Sequence, residues 1–395
     1  MAEVNLNLYH AVALGAIMFW LGSVLTNKVS FLNRFCIPAP LVGGLCFAVT
    51  NTLLYASGIA VIQFDNTLES VFMVFFFCTV GFTVSIPQLL KGGKAVILLL
   101  LLGLVMIFIQ NGMGGAIMSF FGKSPLYGIG CGSVALIGGP GTAAAIGPDL
   151  ETAGAEGAKV VSIAAATFGL VVGSLLGGPT ARRLIKKYDL ECQNQVSGEI
   201  IAEEDALHTN SERLTKGFMI MLVGVGVGNQ VGTLLTHICG FSFPGYIGAM
   251  LVAVVIRNIM DIQKIDFPAA EIDAFGNVFL SVFLSMALCG LKLWQLVDLA
   301  LPMIVCLAAQ TVIMFLFSYF IVFRIMGKNY DAAVMTAGFI GFAMGATSNA
   351  MANMQVVSRK YGPSPIAYFA IPMVGSLFID FFNAALIAMN IGLWS

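Results

Sequence analysis

The amino-acid sequence predicts an all-α polytopic membrane protein made of two inverted repeats of five transmembrane helices, each repeat holding one re-entrant hairpin. Three observations carry that prediction. The 395-residue chain is 58% hydrophobic and 10% charged, where a soluble domain carries about 25% charged residues. Ten apolar stretches reach the roughly 20 residues a helix needs to cross ~30 Å of hydrocarbon. Two further apolar stretches are broken by glycine and proline at corresponding places in the two halves.

In chain order, the first half gives spans at 8–26, 36–60, 68–88, 95–121 and 159–185, with a broken stretch at 126–148. The second half gives 216–239, 243–263, 273–293, 299–326 and 365–392, with a broken stretch at 331–355. The one long polar segment, 186–215, joins them. The organisation read from this is a first repeat over 1–187, a cytoplasmic linker over 188–215 and a second repeat over 216–395.

Charge sets the orientation. With both termini outside, 16 of the 19 lysines and arginines fall in inner loops, and only Lys123, Lys159 and Lys292 fall outside. The positive-inside rule asks for this asymmetry. Counting either broken stretch as a full crossing would reverse everything downstream, so both are expected to leave on the side they entered. The formal net charge of −1 carries no nucleic-acid signal. "MAEVNLNLYH" has no basic region followed by a cleavage site, so no cleaved signal peptide is expected. The cysteines inside apolar runs read as small core residues, since none shows CxxC spacing.

The halves answer each other. "VGSL" recurs at 172–175 and 374–377, "GKS" at 122–124 answers "GKN" at 327–329, Thr142 answers Thr347, and Pro40 and Gly44 answer Pro244 and Gly248. The offsets stay between 202 and 205 residues. Five spans is an odd number, so the halves have opposite orientation. Inverted repeats with broken segments at matching positions mark secondary transporters, and the breaks point to the binding site.

The breaks themselves suggest the chemistry. In "GGPGTAAAIG" (138–147), Gly138, Gly139, Pro140 and Gly141 end one short helix, and Thr142 stands as a candidate N-cap before three alanines. In "GFIGFAMGATSNAMANM" (338–354), Gly345 and Ala346 form the tip, followed by Thr347, Ser348 and Asn349. Free N–H groups and the positive dipole end of such helices bind anions. The plainer reading is that the glycines allow close helix packing.

Polar residues at membrane depth add candidates. Asp380 lies mid-span in "GSLFIDFFNAAL", with Asn383 one turn on; an ionisable residue there is costly and usually functional. Thr167, Ser174 and Gln355 are candidate oxygen ligands for Na⁺ beside Asp380. For the two hydroxyls, a bond back to their own helix is the plainer reading. Asn353, Gln355 and Ser133 are candidate substrate contacts. Gln110, Asn111, Gln310 and Thr311 read as hydrogen-bonding glue between helices. His10, His208 and His237 have no partner at metal or triad spacing, and no Walker motif appears, so neither an enzyme nor an ATP-driven pump is expected. A channel is the main alternative to a carrier.

The motifs resemble the bacterial sodium/glutamate symporters. "GSVALIGGPGTAAAIG", "MALCGLKLWQL" (286–296), "MGKNYDAAVMTAGFIGFAMGATSNAMANMQ" (326–355), "PMVGSLFIDFFNAALI" (372–387), "ATFGLVVGSLLGGPTAR" (166–182) and "IPAPLVGGL" (37–45) carry the resemblance over essentially the whole chain. There are two departures: Pro140 stands where the family commonly has histidine, and Ser348 where it often has proline. The resemblance implies L-glutamate uptake coupled to co-transported Na⁺. It also implies a homodimer in the bilayer of the bacterial plasma membrane, with both termini outside. The expected mechanism is elevator-like alternating access. Gly138, Gly139, Gly141, Thr142, Thr347, Ser348 and Asn349 bind the carboxylates, and Asp380 and Asn383 serve the ammonium or Na⁺. A symporter of another organic anion, such as a dicarboxylate, is the alternative.

Overall fold

The structure is a computed structural model that describes residues 2–35, 37–87, 93–192, 211–239, 245–294 and 299–394. Most of the expected linker (193–210), together with Cys36 and the repeat position Pro244, lies outside the described residues.

The first half of the chain runs β1 (Ala2–Leu6), α1 (Leu8–Lys28), α2 (Ser30–Arg34), α3 (Ala39–Ala56), β2 (Ala60–Phe64), α4 (Thr67–Thr83), α5 (Gly93–Phe120), α6 (Pro125–Gly130), α7 (Ser133–Leu136), α8 (Gly139–Thr152) and α9 (Ala158–Tyr188). The second half runs α10 (Ser211–Cys239), α11 (Gly245–Ile262), α12 (Ala269–Cys289), α13 (Ala300–Phe317), α14 (Phe323–Ile325), α15 (Tyr330–Ala343), α16 (Thr347–Tyr361), α17 (Pro365–Pro372) and α18 (Ile379–Trp394). π-Helical stretches at Ser318–Val322 and Met373–Phe378 join α13 to α14 and α17 to α18.

Local signals start several of these helices. Asn7 accepts from the His10 N–H at 3.0 Å to cap α1. Ser124 accepts from the Leu126 N–H, with Pro125 at the first helical position of α6. Asn329 accepts from the Ala332 N–H at 2.9 Å to cap α15.

Eight helices among the described residues are long and apolar enough to cross a membrane, where the sequence suggested ten. The other two expected spans form helices of 17 and 18 residues, α4 and α11. Extended backbone at Val84 stops α4 early. α11 carries Arg257 and Asp261 in its last turns, paired at 3.1 Å. The all-helical expectation also missed a two-stranded parallel sheet that pairs Ala2 with Ala60 through Leu6 with Phe64.

The helices pack in two groups that do not coincide with the two halves. α1, α3, α4, α10, α11 and α12 pack on one another, and α5–α9 pack with α13–α18. The first group is lined with aromatic side chains: Phe72, Phe75 and Phe275 all lie against Phe279. In the second, Phe317, Phe339 and Phe342 form the centre of a buried cluster. The groups meet where α12 touches α8, and where α4 touches the π-helical stretch and α18.

Candidate functional site

Two broken helices face each other. Gly139 has φ +67°, a left-handed conformation that only glycine adopts freely. A Cβ placed on Gly139 would lie 3.0 Å from the Gly345 carbonyl oxygen. The two tips therefore touch through backbone.

The caps differ from expectation. α8 starts at Gly139 with Pro140 in its first turn, and its N-cap is Gly138, with no side-chain cap bond. Thr142 therefore lies inside the helix, because Gly138 takes the N-cap place four residues earlier and Pro140, with its fixed φ, suits the first turn. At the second tip the N-cap is Ala346, again without a side-chain cap bond. Thr347 and Ser348 are the first helical residues there, which leaves first-turn N–H groups free to take an anion.

That second tip opens on a cavity of about 740 Å³, inside the usual range of ligand sites, about 300–1,000 Å³. Ala346, Thr347 and Ser348 line one wall. Ser376 and Leu377 of the π-helical stretch and Asp380 of α18 line the next. The facing wall is Thr79 and Thr83 of α4, Asp273 and Asn277 of α12, and Arg257 of α11. The cavity thus lies between the two helix groups. Thr83 Oγ1 donates to the Leu377 carbonyl at 3.0 Å across that boundary. The first tip sits just behind: a Cβ on Gly141 would lie 3.0 Å from Leu280 and 3.9 Å from Phe76, which both line the cavity.

The expected site residues divide accordingly. Thr347, Ser348 and Asp380 come together in the cavity. Ser133, Asn349, Asn353 and Asn383 are buried outside the cavity, and the three asparagines engage backbone carbonyls. Asn383 Nδ2 donates to the Ser133 carbonyl at 3.0 Å, and Asn111 Oδ1 accepts from the Ser133 N–H at 2.9 Å. The chain break between α6 and α7 is thereby satisfied, as buried backbone polar groups must be. Asn349 Nδ2 donates to the Leu170 carbonyl at 2.8 Å, and Asn353 Nδ2 to the Gly173 carbonyl at 3.0 Å. Gln110 donates to the Ala343 carbonyl, and Gln310 to the Gln110 carbonyl, so the expected glue joins side chain to backbone. Thr167 and Ser174 donate back to Ile163 and Leu170, and Gln355 is exposed.

Sequence reasoning missed Arg257, Thr79, Thr83, Asp273, Asn277 and Ser376. Arg257 counted there as an inner-loop base. It is buried at 8% exposure, donates to Asp261 and lies 4.2 Å from the Phe267 ring centroid. Ser376 had a signal, because it stands in the second "VGSL" where Ser174 stands in the first.

At the other end of α4, polar contacts join the two helix groups. Lys159 Nζ of α9 and Glu69 Oε1 of α4 pair at 2.8 Å, with side chains 13% and 10% exposed. Nearby, the Tyr246 hydroxyl of α11 donates to Asp149 of α8 at 3.4 Å.

A multi-pass membrane protein with a ligand-sized cavity, edged by several polar side chains, at two touching helix breaks has the build of a secondary transporter. Comparison with known proteins names the family. The sodium/glutamate symporter family model matches residues 4–363. The sodium/glutamate symporter of Escherichia coli is 39% identical over 384 residues, 93% of each chain. That of Haemophilus influenzae is 36% identical over 390 residues, 97% of this chain and 96% of its own. The chain belongs to the sodium/glutamate symporter family. Among solved structures, a sodium/proton antiporter from Methanocaldococcus jannaschii aligns with 97% of this chain and 96% of its own, at 16% identity and a TM-score of 0.44.

Proposed function

We propose that this protein takes up L-glutamate together with Na⁺, and that the cavity between the helix groups is its binding site. The observation that carries this reading is the meeting of Thr347, Ser348 and Asp380 in one cavity. Uncapped N–H groups at the start of α16 suit a carboxylate. A carboxyl at Asp380 suits an ammonium or a sodium ion, and it favours an amino acid over a plain dicarboxylate. Arg257, at the far wall, is placed for the second carboxylate. Gly138, Gly139, Gly141 and Thr142, the first tip, support the site from behind, and Ser133, Asn349, Asn353 and Asn383 hold the breaks in shape. Na⁺ is assigned to Asp380, with Ser376 its nearest hydroxyl neighbour along the helix; Thr167, Ser174 and Gln355 lie outside the cavity and are not part of this assignment.

The division into two helix groups supports an elevator-like mechanism, in which α5–α9 and α13–α18 carry the site past a fixed frame. In this reading the segments 126–148 and 331–355 are re-entrant hairpins of two inverted repeats. Both termini lie outside the inner membrane, and α4 and α11 complete ten spans. The cavity then opens inward, since it is lined by the inner ends of α4 and α11, and the Lys159–Glu69 pair closes the outer route. In this reading the protein is a homodimer.

Uptake of labelled glutamate, aspartate and citrate into proteoliposomes, with and without a sodium gradient, tests the function. Glutamate accumulation that needs the gradient is expected. Gradient-independent uptake, or citrate preferred to glutamate, would overturn it.

A further inference from the structure

A second cavity, of about 720 Å³, lies away from the transport site, between the C-terminal ends of α9 and α16. Its floor is apolar: Gly178 and Pro179 of α9 face Val356 of α16, whose side chain is 65% exposed. A Cβ on Gly178 would lie 3.6 Å from Val356, an ordinary contact, so the two helices pass close together at the floor. The rim is basic, formed by Arg182, Arg183, Lys186, Lys187 and Lys360.

Bases in the last turn of a helix offset its dipole and follow the positive-inside rule, so their presence alone signals nothing. Their partners do. None of the five forms an ion pair among the described residues. Arg183 and Lys187 instead lean over the Tyr319 ring, at 5.9 and 5.4 Å from its centroid. Among the described residues no carboxylate lines the groove. Five cations around an exposed apolar slot, where two helices end at one membrane boundary, match an anionic headgroup with acyl chains below it.

We infer that this groove binds one anionic glycerophospholipid, its phosphate held by Arg183, Lys187 and Lys360 and its chains laid on Pro179 and Val356. A free phosphate fits the rim but leaves the apolar floor exposed. The inference needs only that the chain spans a bilayer, so it stands apart from the substrate reading.

The test is native mass spectrometry of the full-length protein in detergent, titrated with phosphatidylglycerol, cardiolipin, phosphatidylcholine or inorganic phosphate. Anionic lipid should be retained and should raise the thermal midpoint, while phosphatidylcholine should do neither. The pair Arg183→Gln and Lys187→Gln should weaken retention by about 25-fold, roughly fivefold per base removed. Arg183→Lys with Lys187→Arg should restore it. Equal retention of phosphatidylcholine, unchanged retention by the Gln pair, or full stabilisation by inorganic phosphate would overturn the inference. So would an anionic-lipid preference that appears only after the acidic residues of 193–210 are neutralised, since the chain itself would then occupy the groove. Circular dichroism of the Gln pair separates lost binding from lost fold.

Discussion

Gly139 and Gly345 meet tip to tip: a Cβ on the first would lie 3.0 Å from the carbonyl oxygen of the second. Gly139→Ala adds that contact and also strains a φ of +67°, which costs an L residue about 1–2 kcal/mol. Gly122 is the control, with φ +69° and nothing within 4 Å of its Cβ position. The expected result is normal insertion of both variants, near-normal uptake by Gly122→Ala, and uptake by Gly139→Ala reduced about tenfold or more, the effect of ~1.4 kcal/mol of misfit. Equal uptake by the two would mean that the tips need not touch.

Lys159 and Glu69 join the helix groups through a mostly buried pair. Breaking a buried pair strands one charge, at up to about 3–5 kcal/mol. Glu69→Gln and Lys159→Gln should each lower the thermal midpoint, and the double variant should lose less than the sum. Contacting residues couple by about 0.5–3 kcal/mol in such a cycle. Strict additivity would show that the two side chains do not interact.

Orientation is checked by reporter fusions after Ser395 and at Gly198. Opposite sidedness is expected from the distribution of lysine and arginine. Identical sidedness would contradict the inverted-repeat reading.

Coupling follows from charge. Glutamate carries −1, so one Na⁺ makes a neutral complex, and a tenfold sodium gradient alone gives about 1.4 kcal/mol, or roughly tenfold accumulation. A second Na⁺ doubles that term, and ~100 mV adds about 2.3 kcal/mol for the net positive charge. At least two sodium ions and an inward current are expected. Electroneutral uptake with a sodium Hill slope of one would count against this.

Much of this was legible in the sequence because membrane helices announce themselves by apolar length, and breaks by Gly139, Pro140 and Gly345. Asp380 was legible as an ionisable group amid apolar residues. The β1–β2 sheet was not, since Leu6 and Phe64 pair across 58 positions in stretches with no strand context. The π-helical stretch at 373–378, which presents Ser376 to the cavity beside Asp380, has no residue signal apart from Pro372. Arg257 was misread because a base near a helix end counts equally as loop charge or as a buried ligand. Asn349, Asn353 and Asn383 were recognised as important polar residues, but their work on backbone carbonyls depends on which helices cross. The division into two helix groups is likewise a packing fact that no local pattern encodes.

The cavity's role rests most directly on Asp380, and sodium-driven glutamate uptake by Asp380→Asn in proteoliposomes measures it. Asparagine keeps the shape and hydrogen bonding and removes the charge. The account predicts a variant that inserts normally and loses sodium-driven uptake. Its remaining activity should show either weakened sodium affinity, which assigns Asp380 to the ion, or lost preference for amino acids over dicarboxylates, which assigns it to the ammonium. Wild-type uptake with unchanged sodium dependence in a well-expressed Asp380→Asn protein would contradict it.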